Sequence, residues 1–311
     1  MIVHLGLGAF HRAHQAIYTE DAGGWEICGV AWRNRAVVDA LRANGHRYTV
    51  ISRGPETDDE RVVSVISETL VAAEEPDAVV DRIAAADLVT LTITEGGYER
   101  GGMLDLLAHG IAARDGAPLT VLSCDNLPRN GEVLQSLLGD VAAFPCTMVD
   151  RIVPPPDDPL TVVAEPFSQW VVEEFAGPRP TWPGVEIVED SAPYEQMKLR
   201  LLNGTHSALA ALGLPKGHKT VADAIADPEL EDFVRRLLNE ELIPTLSQDP
   251  GDYVERMLER FRNPRIAHPL RQIANQAEHK IAQRLIPPAE ELRAAGREPA
   301  LINQVVRQAL R

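Results

Sequence analysis

The alternation of apolar and polar positions divides the chain into two unlike halves. In the first, short apolar runs alternate with amphipathic stretches. Ile2 to Leu5, Trp25 to Trp32, Tyr48 to Arg53, Leu88 to Thr94 and Leu119 to Ser123 read as strands, and 62–71 is β-rich. Helical periodicity runs over 36–44, 103–114 and 76–86, the last with a proline at its start. Strands alternating with helices predict an α/β domain over 1–153 with a doubly wound parallel sheet. Proline-rich loops at 154–159 and 177–184 flank a β segment at Val162 to Val172, so 154–193 reads as a connecting β segment and linker. From 194 to 311 the pattern is almost wholly helical, punctuated at Gly213-Leu214-Pro215, Asp249-Pro250-Gly251 and Pro287-Pro288.

Composition narrows the function classes. The 311 residues carry a formal charge of −16, which argues against a duplex-DNA binder. No apolar run approaches the ~18 residues a membrane span needs, and the N-terminus passes straight into a strand pattern with no basic segment before it. Three cysteines, Cys28, Cys124 and Cys146, have neither a zinc spacing nor a disulfide framework and predict reduced thiols in a cytoplasmic protein. Monomer and dimer both remain open.

Candidate chemistry begins directly after the first strand, at Gly6-Leu7-Gly8-Ala9-Phe10-His11-Arg12. Two glycines one residue apart, between a strand and a helix, suit a Rossmann-type dinucleotide turn. Gly6 permits the turn, Gly8 lets the backbone approach a pyrophosphate, and the helix start supplies amide donors. His11 stands where the usual fingerprint has a third glycine. The second strand ends in Arg33-Asn34-Arg35, where an NAD site usually has a carboxylate for the ribose hydroxyls. That run is either a charged helix start or a site able to hold a 2′-phosphate. The turns after Leu5, Trp32, Ile93 and Ser123 would face one crevice at the carboxyl ends of the strands, within reach of Asn126.

The second half opens on Tyr194-Glu195-Gln196-Met197-Lys198-Leu199-Arg200-Leu201-Leu202-Asn203-Gly204-Thr205-His206. Read as the start of a long α-helix at about 100° per residue, it puts Lys198 and Asn203 roughly 140° apart, with Glu195 and His206 between them. An amine, an amide, an imidazole and a carboxylate thus share one face of a leucine-rich segment, as a site or as a solvated stripe. A lysine among apolar neighbours is suited to general-base work. Further on, Arg265 and His268 lie in a polar turn and are candidates to meet a hydroxylated or anionic ligand.

Together these motifs resemble the mannitol dehydrogenase and fructuronate reductase family, the polyol-specific long-chain dehydrogenases. The matching pieces run from Gly6 to Ala16, then Thr94-Glu95-Gly96-Gly97-Tyr98, Ser123-Cys124-Asp125-Asn126-Leu127-Pro128, Glu165-Pro166-Phe167-Ser168-Gln169-Trp170 and Lys198…Asn203…His206, in the family's order. The resemblance implies metal-independent hydride transfer between NAD or NADP and a polyol, ketose or sugar-acid substrate. It implies Lys198 as general acid/base, Asn126 and Asn203 as alkoxide-stabilising amides, His206 as a substrate-orienting group and Glu195 as a carboxylate linked to proton exchange. The candidate cofactor set is Gly6, Gly8, Ala9, Phe10, Arg12, Arg33 and Asn34.

The chain departs from the family in a shortened stretch between Tyr98 and Ser123, in the region beyond its last helix, and in Gly96, where the family usually has lysine. A mannitol/fructose type of pair leads, with a fructuronate/mannonate type as the alternative. Gln272-Ile273-Ala274, Lys280 and Gln283-Arg284 resemble the fructuronate reductases. A sensor that kept the fold without turnover is the reading from another class, and the lysine, amide and imidazole set argues against it. A serine or cysteine hydrolase lacks its Gly-x-Ser-x-Gly elbow.

Overall fold

A computed structural model describes residues 1–98 and 102–310, without the side chain of Glu95. The chain forms two compact units, one of residues 1–53 and 57–191, the other of 54–56 and 192–311.

In the first unit eleven strands are described: β1 (Ile2–Leu5), β2 (Ile27–Ala31), β3 (Tyr48–Arg53), β4 (Asp58–Val63), β5 (Ile66–Val71), β6 (Leu88–Leu91), β7 (Val121–Ser123), β8 (Thr147–Asp150), β9 (Thr161–Ala164), β10 (Gln169–Glu173) and β11 (Glu186–Val188). Five of them make the parallel sheet, in the order β5-β2-β1-β6-β7. β1, β2, β6 and β7 are buried at every position, as strands covered on both faces require. Ile2 pairs with Ile27 on one side and Leu88 on the other, so β1 is central and the strand order reverses around it. Ligand crevices in such sheets open at the carboxyl ends beside that reversal.

The parallel sheet omits the predicted strand Tyr48 to Arg53. Between β3 and β4 lie only residues 54–57, too few for the crossover that parallel pairing needs. The two pair antiparallel instead, and β9 joins β3 in a separate sheet. The β-rich stretch 62–71 contains the end of β4 and all of β5, parted where the Glu20 carboxylate accepts the Ser64 N–H. Residues 154–191 contribute β9, β10 and β11 to the two smaller sheets.

The described residues of the second unit are helical apart from turns and an isolated bridge. Its core gathers Leu201, Leu209, Leu237, Leu258, Leu285 and Ile302. The segment expected to be one long α-helix is three pieces: α-helix Ala192–Met197, π-helix Lys198–Asn203 and α-helix Gly204–Gly213. No described helix is long and apolar enough to cross a membrane.

Candidate active site

A cleft of about 600 Å³ opens at the carboxyl ends of β1, β2 and β6. It is lined by Gly6, Leu7 and Gly8 after β1, by Trp32, Arg33 and Asn34 after β2, and by Thr92, Ile93, Thr94 and Gly97 after β6. Three of the four turns expected to face one crevice therefore do so. The turn after Ser123 does not line it, and Asn126 lies exposed there.

Gly6 has φ +104°, and a Cβ there would stand 2.1 Å from the Thr92 carbonyl oxygen. Only glycine allows both that backbone state and that close approach. Beneath the turn, His4 Nε2 lies 3.2 Å from the Gly6 carbonyl and its Nδ1 2.8 Å from the Thr90 hydroxyl. A carbonyl can only accept, so Nε2 carries the proton and Nδ1 accepts from Thr90. His11 stacks on His4 with ring centroids 3.3 Å apart. Burial lowers the His4 pKa to about 3 and that of His11 well below the usual imidazole range, so both support the turn as neutral rings.

The remaining members of the candidate cofactor set divide. Ala9, Phe10 and Arg12 do not line the cleft. Arg12 is buried, its Nε donating to the Gly8 carbonyl at 3.2 Å and its Nη1 to the Pro159 carbonyl. It braces the glycine turn from inside. Arg33 is exposed, with its guanidinium 5.5 Å from the centre of the Trp32 ring. Asn34 caps the helix Arg35–Ala43, accepting the Val37 N–H. Arg35 is held instead by Asp39 at 3.1 Å and Glu74 at 2.8 Å.

In the helical unit, Lys198 and Asn203 mark the two ends of the π turn. The i→i+5 bonding of such a turn brings residues five apart onto a common face, so the 140° separation expected of an α-helix is corrected to a much smaller one. Single π turns occur frequently at functional sites. Arg200, within the turn, is anchored to both carboxylate oxygens of Glu291 at 2.6 Å and to the Thr245 carbonyl at 2.5 Å. Glu195 precedes the turn on the helix Ala192–Met197.

One turn further on, His206 is 5% exposed. It stacks on Phe261 at 4.4 Å and meets His268 edge-on at 4.9 Å. Its pKa is lowered first by burial, then by electrostatic interaction with the His268 ring and with the charges of Arg284, Arg260 and Lys198. The His268 pKa falls to about 4 through burial and then Lys280 and Arg284. Both rings are thus neutral near neutral pH, and His206 Nε2 and His268 Nδ1 are buried without a hydrogen-bond partner. Neutral imidazoles with an open nitrogen suit a hydroxyl-bearing ligand.

Arg265 donates to the Gly54 carbonyl at 3.2 Å and is not among the charges that lower His206 or His268. Arg284, to which no role was assigned, reaches Ser207 Oγ at 3.1 Å and the Asn203 carbonyl at 3.4 Å. The other such group is Lys280, which donates to the Ile273 carbonyl at 3.0 Å. They are four residues apart on the helix Ala277–Arg284, the spacing that puts two cations on one face.

A glycine-turn cleft at the reversal of a parallel sheet, followed by a helical unit, is the architecture of a dinucleotide-binding protein. The model of the mannitol dehydrogenase Rossmann domain matches residues 1–184, and that of the mannitol dehydrogenase C-terminal domain matches 190–311. The chain belongs to the mannitol dehydrogenase family. It is 34% identical to D-mannonate oxidoreductase of Escherichia coli, over 92% of this chain and 74% of that protein. It is 32% identical to mannitol dehydrogenase 2 of Saccharomyces cerevisiae, over 92% of this chain and 72% of that protein. Among solved structures, Pseudomonas fluorescens mannitol 2-dehydrogenase in ternary complex with NAD and D-mannitol matches at TM-score 0.88 and 33% identity. That match covers 99% of this chain and 78% of the other. The chain is therefore an oxidoreductase of this family, with NAD or NADP as its cofactor.

Proposed function

We propose that this chain transfers hydride between a nicotinamide dinucleotide and an open-chain polyol/ketose pair of the mannitol/fructose type. The nicotinamide ring takes up or returns the hydride. Lys198 takes the hydroxyl proton as hydride leaves the carbon, and returns it in the reverse direction. Asn126 and Asn203 hold the developing alkoxide through fixed amide donors, sparing the reorganisation that water would need. His206, neutral and with an open nitrogen, orients the substrate beside His268, and Glu195 carries the lysine's proton exchange with solvent. Arg265 is kept as a more distant substrate contact. The π turn carries this reading, because it gathers the amine and the amide on one face.

A second reading has its own observation. His206 and His268 sit in the field of Arg284 and Lys280, a cationic surround that favours a hexuronate carboxylate over a neutral sugar. A spectrophotometric screen of reduced nicotinamide against fructose, fructuronate, tagaturonate and fructose 6-phosphate separates the two. Turnover of fructose alone supports the polyol reading, and turnover of fructuronate alone replaces it. Turnover of neither would contradict both.

The cofactor proposal is that NADP(H) is accepted at least as well as NAD(H). No carboxylate lines the cleft among the described side chains, and Arg33-Asn34-Arg35 follows β2 where NAD sites carry the carboxylate that repels a 2′-phosphate. Arg33, stacked on Trp32 at the rim, is free to turn two donors toward a phosphate.

A further inference from the structure

We propose that Asp125 is a positioning residue that holds the turn after β6 in the backbone state the dinucleotide requires. The proposal rests on reading the cleft as the nicotinamide dinucleotide site. Thr94, which lines that cleft, has φ +63°. A β-branched residue in the left-handed region is strained, and such a conformation persists only where its surroundings over-determine it. Asp125 supplies that determination. Its Oδ1 accepts the Thr94 N–H at 2.9 Å and its Oδ2 accepts the Ile93 N–H at 3.0 Å.

The carboxylate is itself fixed. Asp125 is buried, and the Tyr98 hydroxyl donates to Oδ2 at 3.1 Å while lying 2.5 Å from Ser123 Oγ. Burial and then the Asp125 charge push the Tyr98 pKa up, so the phenol keeps the proton it donates. Two adjacent backbone N–H groups need two acceptor oxygens. An amide offers only one, and its NH2 would face an N–H. The clamp therefore requires aspartate rather than asparagine.

Its consequence is local to the cofactor wall. Residues 93 and 94 follow directly on Thr92, whose carbonyl lies against Gly6. The clamp and the glycine turn thus set the two sides of one opening. Asp125 also precedes Asn126 in the chain, so a single side chain ties the cofactor wall to the residue proposed to hold the alkoxide.

The test compares Asp125→Asn, Thr94→Gly and the double variant by calorimetric titration with NADH and with NADPH, alongside thermal melts. Asp125→Asn is expected to raise both dissociation constants roughly ten-fold, by the loss of charge-assisted bonds to the turn. Both should move together, since the 2′-phosphate end at Arg33 is untouched. The double variant should recover most of that loss, because glycine occupies positive φ without a Cβ penalty. A merely structural role would instead lower the fraction of binding-competent protein at unchanged affinity, with no recovery from the second substitution. Should Asp125→Asn not fold, Tyr98→Phe, which removes the hydroxyl that pins the carboxylate, should raise the constants roughly three-fold. Unchanged affinity in Asp125→Asn or, in that case, Tyr98→Phe, or a double variant no better than Asp125→Asn, would overturn the proposal. Failure of the parent chain to bind either dinucleotide would remove the reading of the cleft instead.

Discussion

The two units build their sites from different materials. The cleft of the first unit is shaped by its backbone turns. Gly6 at φ +104°, Thr94 at φ +63° and the N–H groups of 93 and 94 are held by buried side chains that stay out of the cleft: His4, His11, Arg12 and Asp125. The site proposed for the helical unit is made of side chains, namely Lys198, Asn203, His206 and His268, set by one irregular helical turn and aromatic packing. A backbone site binds a constant ligand by shape and amide dipoles. A side-chain site supplies the proton transfer and the substrate recognition that a family varies. Substitutions in the first should therefore move cofactor affinity, and those in the second should move turnover.

The largest effect is expected from Lys198→Ala. Turnover should fall by 10²–10⁴-fold, typical of losing a general base, while titration with NADH gives an affinity near that of the parent. A parallel loss of cofactor affinity would break the division between the units. Gly6→Ala is the converse. Its Cβ meets the Thr92 carbonyl and its φ is unfavourable, a strain of about 2 kcal/mol or more. Dinucleotide affinity should fall at least ten-fold and the melting temperature should drop. Normal affinity would mean that the turn does not bear on the ligand.

A smaller effect separates the two arginines at the end of β2. Arg33→Ala should lower the NADP/NAD ratio of kcat/KM several-fold. Arg35→Ala, removing a guanidinium already engaged by Asp39 and Glu74, should leave that ratio alone. Equal responses, or none, would remove the 2′-phosphate assignment.

The mildest prediction concerns pH. His268 has a folded pKa of about 4 against 6.5 unfolded. Below pH 6.5 the unfolded chain therefore binds the proton that the folded chain refuses. Stability should fall as pH drops from 6.5 toward about 4, at a slope approaching about 1.4 kcal/mol per unit for one such group. His206, also lowered, adds in the same direction. Urea melts across that window should show a shallower slope for His268→Asn than for the parent, and identical slopes would contradict the burial cost assigned to this ring.

Much of this was legible in the sequence because it follows from period and punctuation. Apolar runs marked four of the five parallel strands and a β-rich stretch that holds the fifth, and Gly6 and Gly8 marked the cleft. What stayed hidden was geometry that depends on distant partners. Nothing in Thr94 announces a left-handed conformation, since the carboxylate that enforces it is 31 residues away. Asp125 lies within Ser123-Cys124-Asp125-Asn126-Leu127-Pro128, and nothing in that run separates its part from that of its neighbour Asn126. The β3 strand was recognised but its sheet was not, because pairing depends on the short link to β4. The π turn was invisible for a related reason. Its six residues read as ordinary helix, and the Arg200 to Glu291 anchor spans 91 positions.

Lys198, at the head of that turn, is proposed to move the proton in hydride transfer. The direct test is the pH dependence of kcat/KM at saturating cofactor, in the parent and in Lys198→Ala, with and without added small primary amines. The parent should show one ionisation that vanishes in the variant, and the variant's rate should recover in part as amine concentration rises. A variant that keeps the parent's pH profile and most of its rate would contradict it.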